Sequence, residues 1–225
     1  MQGQQAELEW QADDVPVSVR FDDPYFSRED GLAETQHVFL KGNGLPARFR
    51  DGFHIAELGF GTGLNMLAAL IAWQEAGAPG QLHLTSFEAY PMRASDMARA
   101  LAVHAALDAV AAPLLAGWEA GGRQIDLGSG VMLQVITGDA RQTLPEWQGM
   151  ADAWFLDGFS PAKNPELWQP PLMQAVFDHT APGGTAATYT AAGFVRRGLA
   201  EAGFDVTRQP GFGRKRHMTV AERRQ

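Results

Sequence analysis

The chain has 225 residues, 45% of them hydrophobic and 20% charged, enough for one α/β domain with small additions. A net charge of −8 argues against indiscriminate nucleic-acid binding, and the absence of cysteine excludes disulfides, thiolate zinc sites and a cysteine nucleophile. No apolar run approaches the ~18 residues of a bilayer span, and "MQGQQAELEW" lacks the basic and apolar regions of a signal peptide, so a cytoplasmic protein with no membrane partner is expected.

Residues 1–52 do not join the pattern that follows; they read as an N-terminal extension, a hairpin or a lid, packed on a core domain over 53–225. "FHIAELG" (Phe53 to Gly59) is a buried strand running into the glycine-rich "GFGTG". "LNMLAALIAWQEAG" is apolar at helical spacing and stops at Gly77 and Pro79. "QLHLTSFEA" is the next strand, followed by a helix from about Met92 to Leu107. "RQIDLGSGVMLQVITGD" reads as two strands about a Gly-Ser-Gly turn, and "DAWFLDGF" as another buried strand. "LWQPPLMQAVFDHTAPGG" predicts a short helix with a Pro-Gly-Gly stop, then "TAATYT" a strand and "AGFVRRGLAEAGF" an amphipathic helix. "DVTRQPGFGRKRHMTVAER" closes the chain as two strands about a glycine-rich turn, antiparallel because their connection is short. The alternation predicts an α/β fold: a doubly wound, mostly parallel seven-stranded sheet with one antiparallel strand, as in the common Rossmann-like methyltransferase fold.

Four acids stand at predicted strand ends: Glu57, Glu88, Asp139 and Asp157. In a doubly wound sheet these ends face one crevice. Any one of them alone reads as a helix cap; four on one edge point to a cofactor site. Gly59, Gly61 and Gly63 follow Glu57 with spacing G-x-G-x-G, not the dinucleotide G-x-G-x-x-G. An acid two positions before the first glycine would repel a pyrophosphate and suits a ligand with ammonium and sulfonium centres, S-adenosylmethionine. Glu88 is then placed for ribose hydroxyls and Asp139 for an adenine amino group.

The loop "DGFSPAKNPELW" follows the strand ending at Asp157, where the methyl acceptor must sit. Its prolines restrict φ and hold what it displays. Asp157 is the candidate catalytic residue, binding the cofactor's ammonium or ordering and helping deprotonate an amine. Phe159, Lys163 and Asn164 lie on the same loop, with Lys163 favoured for a phosphate. Tyr25, in the extension, could cover the cofactor or stack on a base. From Gly193 onward eight Arg or Lys face three acids, a local +5 that leaves −13 for the rest. There "GFGRKR" combines Phe212 with Arg214, Lys215 and Arg216, a pattern suited to a single-stranded RNA loop. The six histidines show no metal-ligand spacing, and no metal is expected.

"FDDPYFS", "GLAET", "ELGFGTGLN", "SFEAYP", "DAWFLDGFSPAKNPELW" and "GFGRKRHM" together resemble the methyltransferase-domain family of the bacterial tRNA wobble-uridine modification enzyme MnmC, from about Phe21 to Met218. The resemblance implies methyl transfer from S-adenosylmethionine to the aminomethyl nitrogen of 5-aminomethyl-2-thiouridine in a tRNA anticodon loop. It implies that Glu57, Gly59, Gly61, Gly63, Asn65, Glu88, Asp139 and Ala140 serve the cofactor, with Asp157 between cofactor and acceptor. His217 stands where related sequences tend to have an acid. Members continue into a flavin-dependent oxidase domain that prepares the same amine; here nothing binds flavin, and that oxidase is expected as a fused or separate partner. The residues themselves leave open an aminopropyltransferase or small-molecule amine methyltransferase of the same fold, and a non-catalytic RNA-binding module.

Overall fold

The computed structural model describes residues 5–27 and 30–224. The extension opens with a small antiparallel sheet of Leu8–Trp10 (β1), Pro16–Ser18 (β2) and Asp23–Pro24 (β3). Asp30 then caps Gly31–Thr35 (α1) by accepting the Ala33 N–H, and the helix runs into a π-helical turn over Gln36–Leu40. Val38, Phe39 and Leu40 on that turn enter the main core cluster, so this segment is built into the body rather than laid over it.

The remaining elements are Phe53–Leu58 (β4), Leu64–Glu75 (α2), Leu82–Glu88 (β5), Ala94–Leu101 (α3), Ala111–Glu119 (α4), Gln124–Gly128 (β6) and Val131–Thr137 (β7). Ala140–Glu146 (α5), Ala151–Leu156 (β8), Pro170–Asp178 (α6), Thr180–Thr188 (β9), Gly193–Ala202 (α7), Asp205–Pro210 (β10) and His217–Glu222 (β11) follow. The large sheet has the order β10-β11-β9-β8-β4-β5-β7-β6. β4 pairs in parallel with β5 on one side and β8 on the other, which makes the β4/β8 boundary the topological switch point. Strand residues alternate between two cores, as a sheet covered on both faces requires. Phe53 and Ile55 pack in the layer of α2, α3 and α4, while Ala56 and Leu58 pack in the layer of α5, α6 and α7.

The predicted class holds, with eight strands and two reversed rather than seven and one. β6 pairs antiparallel with β7 through the Gly-Ser-Gly turn, where Gly128, Ser129 and Gly130 all have positive φ, and so adds a strand at the edge. The helix expected from Met92 to Leu107 ends at Leu101, with a single 3-10 turn at Ala105–Leu107. Neither α4 nor α5 was anticipated. Pro113 and Gly117 interrupt the pattern of the first and Pro145 that of the second, and such breakers conceal helical periodicity. The Pro-Gly-Gly segment expected to stop α6 lies inside β9, where the pairing with β8 jumps from Ala151↔Thr180 to Ala153↔Thr185. A bulge absorbs what would otherwise break the strand.

Candidate active site

The turns after β4, β5, β7 and β8 surround a cavity of about 820 Å³. At its floor two turns meet backbone to backbone. Gly59 has φ +86°, and a Cβ there would lie 3.1 Å from the Gly158 Cα. Only glycine permits both the dihedral and the approach. Gly61 lines the cavity as well, but Gly63 caps α2 beneath it, where a Cβ would strike Leu114 at 2.8 Å. Its expected cofactor role gives way to helix packing.

Asn65, in the first turn of α2, joins three elements. Its Nδ2 donates to Glu57 Oε1 at 2.8 Å and to Asp157 Oδ2 at 2.7 Å. Its Oδ1 accepts from Thr35 Oγ1 at 2.7 Å, and Ser86 Oγ donates to Glu57 Oε2 at 2.6 Å. Every polar atom of the Asn65 side chain is thereby used. Glu57 has no exposed surface and does not line the cavity. This corrects its expected contact with the cofactor: it lies behind Asn65 and orients the amide that holds Asp157. Burial pushes the Glu57 carboxyl well above the usual range, against its hydrogen bonds from Ser86 and Asn65. Asp157 faces the cavity, and desolvation raises it from 3.8 to about 6.

Glu88 ends β5 with its carboxylate in the cavity wall, Oε2 accepting the Gly61 N–H at 2.9 Å and Oε1 the Tyr90 N–H at 2.6 Å. Burial raises its pKa, with the backbone donors pulling the other way. Asp139 is both cap and wall. It accepts the Arg141 N–H at the start of α5, and Arg141 Nη2 sits 2.6 Å from its Oδ2. The Arg141 hydrogen bond holds the Asp139 carboxyl below its ordinary value. Asp139 and Ala140 both line the cavity.

The extension supplies the opposite wall. Tyr25 lies over Gly61, and its ring meets Phe159 edge-on at 5.0 Å, while Phe159 stacks on Phe21 at 4.7 Å. Asp23 accepts the Ser160 N–H at 2.8 Å. Lys163 Nζ lies 2.9 Å from the Asp22 carboxylate and also donates to the Asp22 carbonyl. Lys163, expected to meet a phosphate, thus ties the loop after β8 to the extension while still lining the cavity. Asn164 lines the cavity, and its side-chain amide has no protein partner among the described residues.

Of the basic segment only Lys215 reaches the cavity. It pairs with Glu34 at 2.8 Å and sits 4.1 Å from the centre of the Tyr189 ring. Phe212 lies beside His37 at 6.0 Å, and Arg214 and Arg216 are exposed on the turn, none of the three in the cavity wall. Thr35, Glu34, Ser86, Arg141 and Tyr189 were missed by sequence reasoning. Tyr189 had a signal, since it follows directly on β9 and so stands at the same edge as the acids. Thr35 and Glu34 had only their place in the "GLAET" motif, because a five-residue helix ahead of the alternating pattern carries no register to the sheet.

An open doubly wound sheet, with carboxylates gathered around a cavity at its switch point, defines a cofactor-dependent enzyme of the methyltransferase type. Among the described residues no group of histidines or acids is arranged to hold a metal. Residues 104–224 match the family model described as S-adenosyl-L-methionine-dependent methyltransferase, and the chain belongs to that family. A relative from Chromohalobacter salexigens, named tRNA 5-methylaminomethyl-2-thiouridine biosynthesis bifunctional protein MnmC, is 49% identical over 228 residues, covering 96% of this chain and 33% of its own. The protein of the same name from Caulobacter vibrioides is 48% identical, covering 96% of this chain and 38% of its own. The chain thus spans about a third of the length of these relatives. The crystal structure of MnmC2 from Aquifex aeolicus superposes with a TM-score of 0.75 at 26% identity, covering 98% of this chain and 71% of that one. Spermidine synthase from Thermotoga maritima shares the fold alone, at a TM-score of 0.53 and 10% identity over 96% of this chain and 71% of its own. No helix among the described residues is long and apolar enough to cross a membrane.

The site fits the family's cofactor. Glu88 presents a carboxylate suited to ribose hydroxyls, Asp157 one suited to an ammonium, and the turn at Gly59 and Gly61 a surface that a ligand can approach closely. When bound, S-adenosylmethionine supplies a methyl group on a positively charged sulfur.

Proposed function

We propose that this chain transfers a methyl group from S-adenosylmethionine to the aminomethyl nitrogen of 5-aminomethyl-2-thiouridine at the tRNA wobble position, giving 5-methylaminomethyl-2-thiouridine. The observation that carries the reading is Asp157: a carboxylate at the floor of the cavity, fixed by Asn65 and followed at once by the acceptor loop. The names of relatives that match almost the whole chain at 48–49% identity support the substrate.

A primary alkylamine has a pKa of roughly 10 and arrives charged at neutral pH. Asp157 accepts a hydrogen bond from it and orients it, one proton passes to water, and the freed lone pair points along the bond to be broken. Nitrogen gains the methyl carbon as the carbon–sulfur bond breaks, the sulfur keeping that electron pair; the product amine then sheds a proton. Phe159 and Tyr25 keep bulk water from the reacting atoms. The tRNA anticodon loop lies along the turn bearing Arg214 and Arg216, and the base must leave its stack to reach Asp157. The amine comes from an oxidase acting on the same nucleoside, fused or separate, in keeping with the word bifunctional in the relatives' names.

The test is incubation with labelled S-adenosylmethionine and tRNA bearing the unmodified amine, followed by nucleoside analysis. A methyl group appears on the wobble aminomethyl nitrogen and none on polyamine precursors. Asp157→Ala loses turnover by about 100-fold or more, the range of a positioned acid–base group. Transfer of an aminopropyl group from decarboxylated S-adenosylmethionine to a polyamine precursor, with no methylation of the tRNA, would hand the site to the aminopropyltransferase reading.

A further inference from the structure

The Lys215–Glu34 pair faces the cavity and is used by no step above. The Glu34 side chain is 13% exposed, and its partner there is the Lys215 ammonium, 2.8 Å away. The same ammonium lies 4.1 Å from the Tyr189 ring centre. The Tyr189 hydroxyl donates to the Gly158 carbonyl at 2.8 Å, which anchors the ring beside Asp157. Asp157 senses both partners, Glu34 raising and Lys215 lowering its proton affinity after the larger effect of burial. A primary ammonium held between a carboxylate and an aromatic face, with a second carboxylate close by, is the arrangement that recognises alkylammonium groups.

The acceptor put forward above carries the same group, a primary amine on a methylene carbon. Two ammonium ions in one such box repel, and only one can stay. Lys215 enters from the 211–216 turn, whose neighbouring side chains Arg214 and Arg216 are exposed on the outer surface. A phosphate arriving there offers Lys215 another partner outside the cavity.

Resting on that reading of the reaction, we propose that Glu34 receives the acceptor's ammonium and that Lys215 occupies its place until an RNA phosphate draws the lysine out. The exchange gives selectivity. A free small amine brings the right charge but no phosphate, so it meets a box already filled. An amine borne on RNA brings both.

Steady-state methylation by wild type, Glu34→Gln, Glu34→Asp and Lys215→Met tests this, with 5-aminomethyl-2-thiouridine presented in tRNA and as the free nucleoside. Glu34→Gln raises KM for the tRNA about 10-fold or more with a smaller change in kcat, and Glu34→Asp recovers part of the loss. Lys215→Met raises kcat/KM for the free nucleoside about 10-fold while lowering it for tRNA. Calorimetry with S-adenosylhomocysteine shows in each variant that the cofactor site is intact. A Glu34→Gln enzyme with wild-type KM, or a Lys215→Met enzyme no better on the nucleoside, overturns the exchange and leaves the proposed reaction standing. A wild-type enzyme that methylates neither form of the amine overturns both.

Discussion

Asp157→Asn separates the stability of this protein from its activity. The substitution keeps an oxygen to accept the Asn65 Nδ2 hydrogen bond, 2.7 Å long in the structure, and removes the charge. In the folded chain the Asp157 pKa lies near 6, against an ordinary 3.8. A folded-state pKa above the unfolded one means the native state binds the proton more tightly, so stability falls as pH rises from about 3.8 to 6. Above that window the ionised side chain costs about 3 kcal/mol, from 1.36 kcal/mol per pKa unit. That is a ceiling, because Asp157 faces a cavity that admits water. Urea denaturation of both proteins between pH 4 and 8 reads the difference directly. Asp157→Asn is the more stable by up to about 3 kcal/mol at pH 8, or about 2–4 °C of Tm per kcal/mol. The advantage shrinks towards zero by pH 4, while turnover is lost at every pH. A pH-independent difference, or a variant less stable than wild type at pH 8, would refute the desolvation argument.

Three further outcomes are expected. Asn65→Leu leaves Glu57, Asp157 and Thr35 without a shared partner and destabilises the fold by about 1–3 kcal/mol or more, measured by denaturation; a loss under about 0.5 kcal/mol would show that water replaces the amide. Affinity for S-adenosylhomocysteine rises with pH up to about 6 and levels off above it, since Asp157 must ionise to face the ligand's ammonium. Calorimetry showing a flat profile from pH 5 to 7 would remove that contact. Arg214→Ala with Arg216→Ala weakens tRNA binding and lowers the slope of log K against log salt by roughly two contacts' worth; an unchanged slope would make the turn a bystander.

The sheet was legible because its strands alternate between two apolar layers and its turns are marked by glycine and proline; the acids at strand ends were legible for the same reason. Depth was not. Glu57 stands within the end of β4 and Asp157 just past the end of β8, yet one is sealed beneath Asn65 and the other opens on the cavity. Pairing was hidden too. Lys163 is separated from Asp22 and Lys215 from Glu34 by well over a hundred positions, and no local pattern predicts which acid a lysine will meet. The basic character of the last segment was correct as a count, but it did not reveal that its one lysine reaches the cavity. Thr35 stayed invisible because its role depends on a tertiary approach of α1 to α2.

The first fifty residues contribute the Tyr25 ring, the Thr35 hydroxyl and the Asp22–Lys163 latch, and about a third of the residues lining the chamber come from this extension. A shortened protein starting near Phe53 would possess every large-sheet strand and still present an open trough instead of a room. The smallest unit able to separate a methyl donor from bulk solvent is therefore wider than the Rossmann-like body, and a search for minimal catalysts in this family should begin at β1.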